Sequence, residues 1–501
     1  MKKLIAATVC AVTALSAAAQ YEINYSAEFA GTAGSGDFAP YYMASNIHGV
    51  LTQKTNAQVR ARLWRGMDTG KRFSYGFGAD VIGGYASKTA YERYGADTQA
   101  WYSHKEGPAA VWLQQLYGEI KYRGVFLTVG MKEYDSFLLN QSLSSGDLTY
   151  SGNARPMPGF RAGFIDFQDI PFINGWVQIE GVVEYGKQTD NKWVRDHYNY
   201  YSRLYNNGAW YHYKHIYFRT KPSQPLSVVA GIQTGSQFGG KNYAYSKGKL
   251  TSVTDESVRL KDFFRIFIPT MDDNWVYGNY LGSIDLKARY RFNSNHQVMA
   301  YFQWPFEDGS GMAKCNGFDG LWGLEYKAPG RAIVSGAVLE YLDFTNQSGA
   351  IHWDPVDNGG TDMGHQTTGN DDYYNNRQFN GYAYYGMSIG TPMLRSPLYN
   401  LNGSNYFMCN RVRGFHAGIS GNLTAEIDYR LLGSYRKGWG TPNRPLLSPM
   451  ECTSLMAECV YSPSRVPGMV VNLQVAADRG SMYGDNFGVL IGVKYNGLLN
   501  F

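Results

Sequence analysis

His212 and His215 stand three residues apart. On an alternating strand that spacing sends the two imidazoles to opposite faces, so a shared metal is not expected. His352, Asp354, Asp357, Asp362 and His365 gather in a Gly-rich stretch. They carry donors for a divalent cation, but the same composition makes an ordinary solvated loop, and we assign it no metal. H-E-x-x-H does not occur, and no catalytic residue, cofactor or metal ligand is assigned and no enzyme is expected. What remains is binding chemistry. Trp193, Tyr198, Tyr200, Tyr201, Tyr205, Trp210 and Tyr211 crowd one segment, and Asp371, Asp372, Tyr373, Tyr374, Asn375 and Asn376 mark another. Flat rings stack on the apolar faces of sugars, and nearby Asp, Asn and Arg side chains hydrogen-bond hydroxyls. Tyr200, Tyr201, Trp210, Tyr373 and Tyr374 are the candidate glycan-binding residues. An aromatic girdle, or packing within the loops, is the alternative for each.

The elements that position these residues are strands. In Leu281 to Trp304, Ile284, Leu286, Ala288, Tyr290 and Phe292 share one face. Ser283, Asp285, Lys287, Arg289 and Arg291 share the other, and Asn293 to His296 makes the turn. Leu116 to Met131, Val177 to Tyr185, Ile216 to Ile232 and Leu423 to Arg436 repeat the pattern, with Gly421-Asn422 read as a tight turn. The inner face of a β-sandwich is dry, and charges on one face of so many strands exclude it. A closed barrel, apolar outward and polar inward, satisfies both faces. The predicted fold is all-β: a transmembrane antiparallel barrel of about 18 strands. Lys287, Arg289, Arg291 and Arg430 are then charges of the lumen.

Connections alternate in length. Short turns fall at 123–124, 221–225, 293–296, 328–331, 421–422 and 462–468, and longer segments at 186–212, 234–278, 343–375 and 437–450. The short set is assigned to the periplasm and the long set to the cell exterior. Residues 36–49 break the alternation. Asp37 and Pro40 predict a short helix over Pro40 to Asn46, expected at or inside the periplasmic mouth.

Residues 1–19 read as a signal peptide: Lys2 and Lys3, an apolar run from Leu4 to Leu15, then Ala17-Ala18-Ala19. Residues 20–501 form the single barrel domain. Without Lys2 and Lys3 the net charge falls from +5 to about +3, too weak to imply nucleic acid. The 41 Tyr, 25 Phe and 11 Trp suit aromatic girdles, and a mean hydropathy of -0.36 is compatible with a barrel. Cys315, Cys409, Cys452 and Cys459 show no metal spacing, and Cys452 and Cys459 have opposite parity on one strand.

Several stretches together carry a family resemblance. They are GDFAPYYMASNIHGV (from Gly36), LSSGDLTYSGNARPMPGFRAGF (from Leu143) with PFINGWVQIEG (from Pro171), NDDYYNNRQFNGYAYYGMSIGTP (from Asn370), and NRVRGFHAGISG (from Asn410) with GSYRKGWGTP (from Gly433). In this order the chain resembles the Wzi-like capsule assembly proteins of Bacteroidetes-type bacteria. The resemblance implies an outer-membrane barrel of about 18 strands with a small helical element at its periplasmic side. It implies a surface lectin that holds or assembles capsular polysaccharide in a Gram-negative bacterium. Its implied partners are outer-membrane lipid, capsular or other surface polysaccharide and the barrel assembly machinery. One departure concerns ligand choice: family members often carry Gly after Tyr/Phe-Asn-Asn, whereas Arg377 follows Asn375-Asn376 here. The alternative function is a porin or transporter channel for small polar solutes, with the lumen charges setting selectivity.

Asn486 to Phe501 alternates to its end, with Tyr495 and Phe501 on the apolar face, and resembles a barrel assembly signal. Replacing Tyr495 and Phe501 with Ser, or deleting Phe501, is expected to lower the folded, heat-modifiable form in the outer membrane. Unchanged levels of that form would count against the assignment.

Overall fold

The computed structural model describes residues 22–268, 271–272, 275–276, 278–350 and 369–500. The signal segment, the acid- and His-rich stretch 352–365 and Phe501 lie outside these residues.

The alternating segments form eighteen antiparallel strands. The first six are β1 (Glu22–Ser35), β2 (Asn56–Arg65), β3 (Phe73–Ala86), β4 (Val111–Tyr122), β5 (Val125–Met131) and β6 (Gly159–Phe164, resumed at Gln168–Asp169). Then come β7 (Val177–Lys187), β8 (Trp210–Thr220), β9 (Leu226–Phe238), β10 (Asn279–Arg291), β11 (Gln297–Phe306) and β12 (Gly320–Lys327). The last are β13 (Gly336–Asp343), β14 (Val412–Asn422), β15 (Ile427–Thr441), β16 (Arg444–Tyr461), β17 (Met469–Arg479) and β18 (Asn486–Asn500). Each pairs with its neighbours in sequence. The sheet closes because β1 also pairs with β18, from Glu22 opposite Asn500 to Ser35 opposite Phe487. Among the described residues no helix is long and apolar enough to cross a membrane.

Period-2 alternation sorts the side chains as the sequence predicts. Leu286, Tyr290 and Phe292 are exposed on the outer surface, while Ser283 and Asp285 are buried inside. In β18, Phe487, Ile491, Val493 and Tyr495 point outward and Asn486 is buried within. Cys452 and Cys459 fall on opposite faces, and all four described cysteines are free thiols. A belt of apolar groups on the outside of a closed sheet is the surface that bilayer hydrocarbon solvates.

One end of the barrel carries short turns, among them 123–124, 221–225, 292–296 and 462–468. The other carries the long connections, among them 36–55, 132–158, 188–209, 239–278 and 344–411. Three expectations need correction. The helix in 36–49 exists, as Tyr41–Ala44, but at the long-connection end rather than the short-turn end. β1 starts beside Asn500 at the short-turn end, so its exit must lie at the opposite mouth. Residues 437–450 are no loop: β15 and β16 continue as a hairpin to Thr441 opposite Arg444, with a register shift between Gly438 and Gly440. Gly421 and Asn422 belong to β14, and the turn is 423–426 instead, so Leu423 and Ala425 sit outside the strand.

Segments 36–55, 132–158 and 369–411 fold into the lumen as a plug. Tyr41, Met43, Leu143, Leu148, Tyr373, Tyr374, Tyr382, Ile389, Leu394 and Phe407 form one buried cluster with the wall residues Tyr211, Leu281, Leu321, Leu342 and Met456. Gly235 of β9 makes room for it, since a Cβ there would lie 1.7 Å from the Tyr382 hydroxyl. Arg436 of β15 is fully buried, its guanidinium 3.7 Å from the Tyr41 ring centroid and 4.7 Å from that of Tyr483. Its Nη2 donates to Ser454 at 2.6 Å.

Ile491 is 55% exposed on the outer belt, whereas Lys494 lines a cavity of the lumen. A Lys at the bilayer midplane costs about 2–4 kcal/mol. Ile491→Lys is therefore expected to impair folding more than Lys494→Ile, measured as the heat-modifiable fraction. Equal effects would place the register one residue out.

Candidate functional site

The long connections build a basin at their end of the barrel. Strand Ser202–Asn207 pairs with Gly240–Ser246, which pairs with Lys249–Glu256, giving a three-stranded sheet above the mouth. It contributes Arg203, Leu204, Ala244 and Tyr245. The plug contributes Asn370, Asp372, Asn375, Asn376, Arg377, Gln378 and Tyr406, and the β15–β16 turn adds Asn443 and Arg444. The basin encloses about 1080 Å³.

Its polar groups are held by one another. Asp372 accepts from Asn410 at 2.6 Å, from Asn375 at 3.0 Å and from Asn443 at 3.3 Å. Asn376 donates to Asn279 at 3.2 Å. The Arg203 guanidinium lies 4.5 Å from the Tyr406 ring centroid, and Arg203 has φ 77°, a left-handed backbone rare for Arg. Burial raises the Tyr406 phenol above its ordinary value, which keeps it a neutral donor. Among the described residues Arg377 and Arg444 make no ion pair, so two guanidinium groups are available to a ligand. Cations, amides and a carboxylate around aromatic rings form a surface suited to hydroxylated and anionic ligands.

Further carboxyl groups are buried near Asp372. Glu307 accepts from the Tyr374 amide at 3.0 Å, and Asp371 accepts from Ser348 at 2.5 Å. Burial, then the nearby charges of Asp371 and Asp372, push Glu307 well above the carboxylate range. Burial, then Asp308, push Asp371 up to about 7. Burial raises Asp319 to about 6.

The sequence candidates separate. Tyr201 packs on Trp101 and Tyr94, at 5.0 and 5.1 Å between ring centroids. Tyr200 meets Tyr245 at 4.9 Å, so this ridge adjoins the basin. Tyr373 and Tyr374 are 0% and 1% exposed. The Tyr373 hydroxyl accepts from Asn316 at 3.0 Å and that of Tyr374 donates to the Leu148 carbonyl. Both are internal parts of the plug, unavailable as a stacking platform. Trp210 stands on the outer wall of β8, edge-on to Phe263 at 5.0 Å, and does not line the basin. Arg203, Tyr245, Tyr406, Asn443 and Arg444 had no local sequence signal, whereas Arg377 had one in its departure from the family motif.

The four lumen cations do face inward. Lys287 pairs with Glu325 at 3.0 Å and Arg430 with Glu458 at 2.6 Å. Arg289 and Arg291 donate to the Pro222 and Ser223 carbonyls at 2.6 and 2.7 Å. Glu28, Gln58, Arg60, Arg430, Asn472, Gln474 and Lys494 help line a second cavity of about 340 Å³ on the short-turn side of the plug helix. It shares no lining residue with the basin. His212 and His215 point to opposite faces: His215 bonds Glu180 at 2.7 Å inside, and His212 stacks on Tyr185 at 4.3 Å outside. No group of three potential metal ligands occurs among the described residues.

A closed 18-strand antiparallel barrel whose lumen is filled by its own long connections is a plugged barrel of the outer-membrane type. No family model and no curated protein matches the chain. Among solved structures it is similar to Wzi of Escherichia coli, an outer-membrane protein involved in group 1 capsule assembly and a carbohydrate-binding β-barrel. That match has a TM-score of 0.56 and 12% identity, over 93% of this chain and 83% of Wzi. OccAB2 of Acinetobacter baumannii matches with a TM-score of 0.49 and 9% identity, over 95% of this chain and 98% of the other. At these identities the likeness is one of fold.

The raised carboxyl values predict a pH dependence for segments 307–319 and 369–380. A carboxyl whose folded value lies above its unfolded one stabilises the fold at low pH, and the contribution is lost as pH rises through the folded value. Segments 307–319 and 369–380 are therefore expected to open more readily at pH 8 than at pH 5, measured by hydrogen exchange corrected for intrinsic rates. Asp371→Asn should flatten the difference. Equal protection at both pH values would refute the coupling.

Proposed function

We propose that the chain is a Wzi-like outer-membrane protein that holds surface polysaccharide, binding it at the basin of the long-connection end. The observation that carries this reading is the pairing of a filled lumen with a wide outer basin. The basin displays Arg203, Arg377 and Arg444 beside Tyr245, Tyr406, Asn376 and Asp372. A plugged barrel is a poor conduit, whereas a fixed array of rings, amides and guanidinium groups on its outer mouth suits a long polyhydroxylated chain, and an acidic one most of all. Carbohydrate binding, stated for Wzi, is in this reading also the activity of this chain. The long connections then face the cell exterior and the short turns the periplasm. The implied partners are capsular or related surface polysaccharide, the surrounding lipid and the machinery that inserts barrels. No catalytic step is assigned.

A second reading, a channel for small polar solutes, has one observation in its favour: the charged cavity beneath the plug helix, with Glu28, Arg60, Arg430 and Lys494. Conductance separates the two.

Replacing Arg203, Arg377, Tyr245, Tyr406 and Arg444 together with Ala should release capsule into the medium while the barrel still assembles. A single anchor such as Tyr245→Ala should cost about 1–2 kcal/mol, roughly 5- to 30-fold in affinity for purified polysaccharide. The purified protein should conduct poorly in planar bilayers. Retained capsule on the variant strain, together with steady conductance altered by Arg289→Ala and Arg291→Ala, would overturn this reading in favour of the channel.

A further inference from the structure

The connection between β9 and β10 contains a helix, Leu260–Phe267, that lies on the outside of the barrel. It crosses outward positions of four strands near the long-connection end: Tyr185, Trp210, Phe238 and Tyr280. Ile266 is fully buried against them, and the Phe263 ring meets Trp210 at 5.0 Å and Phe238 at 5.5 Å. Tyr185 and Tyr280 donate their hydroxyl protons to the carbonyls of Phe263 and Ile266, each at 2.7 Å. The Lys214 ammonium donates to the Phe267 carbonyl, and the His212 ring lies 5.7 Å from the Phe267 ring. His212 and Lys214 are the polar members of an outward row on β8 that continues with Ile216 and Phe218, both exposed.

The other side of the helix is apolar as well. Leu260, Phe264, Phe267 and Ile268 are 76, 71, 40 and 65% exposed. They recur at i, i+4, i+7 and i+8, one stripe of the helix. Lys261 and Arg265 border that stripe. A helix covering a polar patch in water would turn polar groups outward. This one covers His212 and Lys214 and offers four large apolar side chains in their place, continuous with the apolar belt at Ile216 and Phe218.

We infer that Leu260–Phe267 is an interfacial membrane helix, seated in the leaflet at the long-connection end. Its four apolar side chains lie among acyl chains, and Lys261 and Arg265 meet the phosphates of an anionic lipid. The partner is the lipid of that leaflet. The inference rests on the membrane location proposed above. It adds that this wall extends its lipid contact by a helix rather than by longer strands.

Nitroxide labels test the depth. In a Cys315→Ser and Cys459→Ser background, Phe264→Cys, Phe218→Cys and Leu447→Cys are labelled and the protein is placed in phosphatidylcholine vesicles. Collision rates with oxygen and with a nickel chelate are compared. Positions 264 and 218 should favour oxygen by about fivefold or more over Leu447→Cys on the exposed hairpin. A nickel-accessible 264 with a protected 218 would overturn the helix placement alone, and access at both would overturn the membrane location. If Phe264→Cys does not assemble, Leu260→Cys is read in the same way. The phosphate contact is tested by adding one-third phosphatidylglycerol. The resulting rise in Tm should fall by at least half in the Lys261→Glu, Arg265→Glu double variant. An unchanged rise would overturn that part.

Discussion

Everything in this molecule depends on the seam between its first and last strands. Glu22–Ser35 lies along Phe487–Asn500 without a break in register, and that pairing turns a sheet of eighteen strands into a ring. A ring has no edge, so no strand is left with an open side, the condition for crossing hydrocarbon. Closure also fixes parity. Once Phe29 and Ile491 point outward, every second residue of each strand is committed to lipid and the rest to the lumen.

The lumen then poses its own problem. Eighteen strands enclose more space than wall side chains can fill, and the chain fills it with loops that enter from one mouth. Those loops carry their own apolar core, so Tyr373, Tyr374 and Tyr382 serve packing, and their hydroxyls bond within the plug or to the wall. The polar groups left at the surface gather in the basin. Packing and surface chemistry therefore divide the same segment: Tyr373 and Tyr374 face in, while Asn376 and Arg377 face out.

This division explains what could be read from sequence. Alternation is a local property, so the strands from Leu281 to Trp304 and from Asn486 onward were legible residue by residue. The strand number followed from repeating that local reading. The inward direction of Lys287, Arg289, Arg291 and Arg430 followed from the same parity. Burial of Tyr374 is not local, because it depends on Leu148 and Phe407 coming from other parts of the chain. Arg203 and Arg444 meet across the basin only after two distant hairpins are placed. Residues 437–450 misled because Gly438, Gly440, Pro445 and Pro449 look like loop residues, whereas pairing across the hairpin keeps the segment extended. The helix after Gly36 was readable as a helix. Its side followed from strand direction, not from composition.

The buried Arg436 joins the earliest and latest parts of the molecule. It lies against Tyr41 from the first connection and Tyr483 from the last, and the Tyr41 amide bonds Asp478. The first loop to be synthesised thus finds its partners only after nearly the whole chain exists. Contacts so distant in sequence must wait for costly loop closures, which makes late consolidation the natural order of events. Until β15, β17 and β18 are in place, Tyr41, Tyr42 and Met43 have no pocket to enter and remain exposed and adhesive. The first connection is therefore a part of this chain that needs protection before the barrel closes.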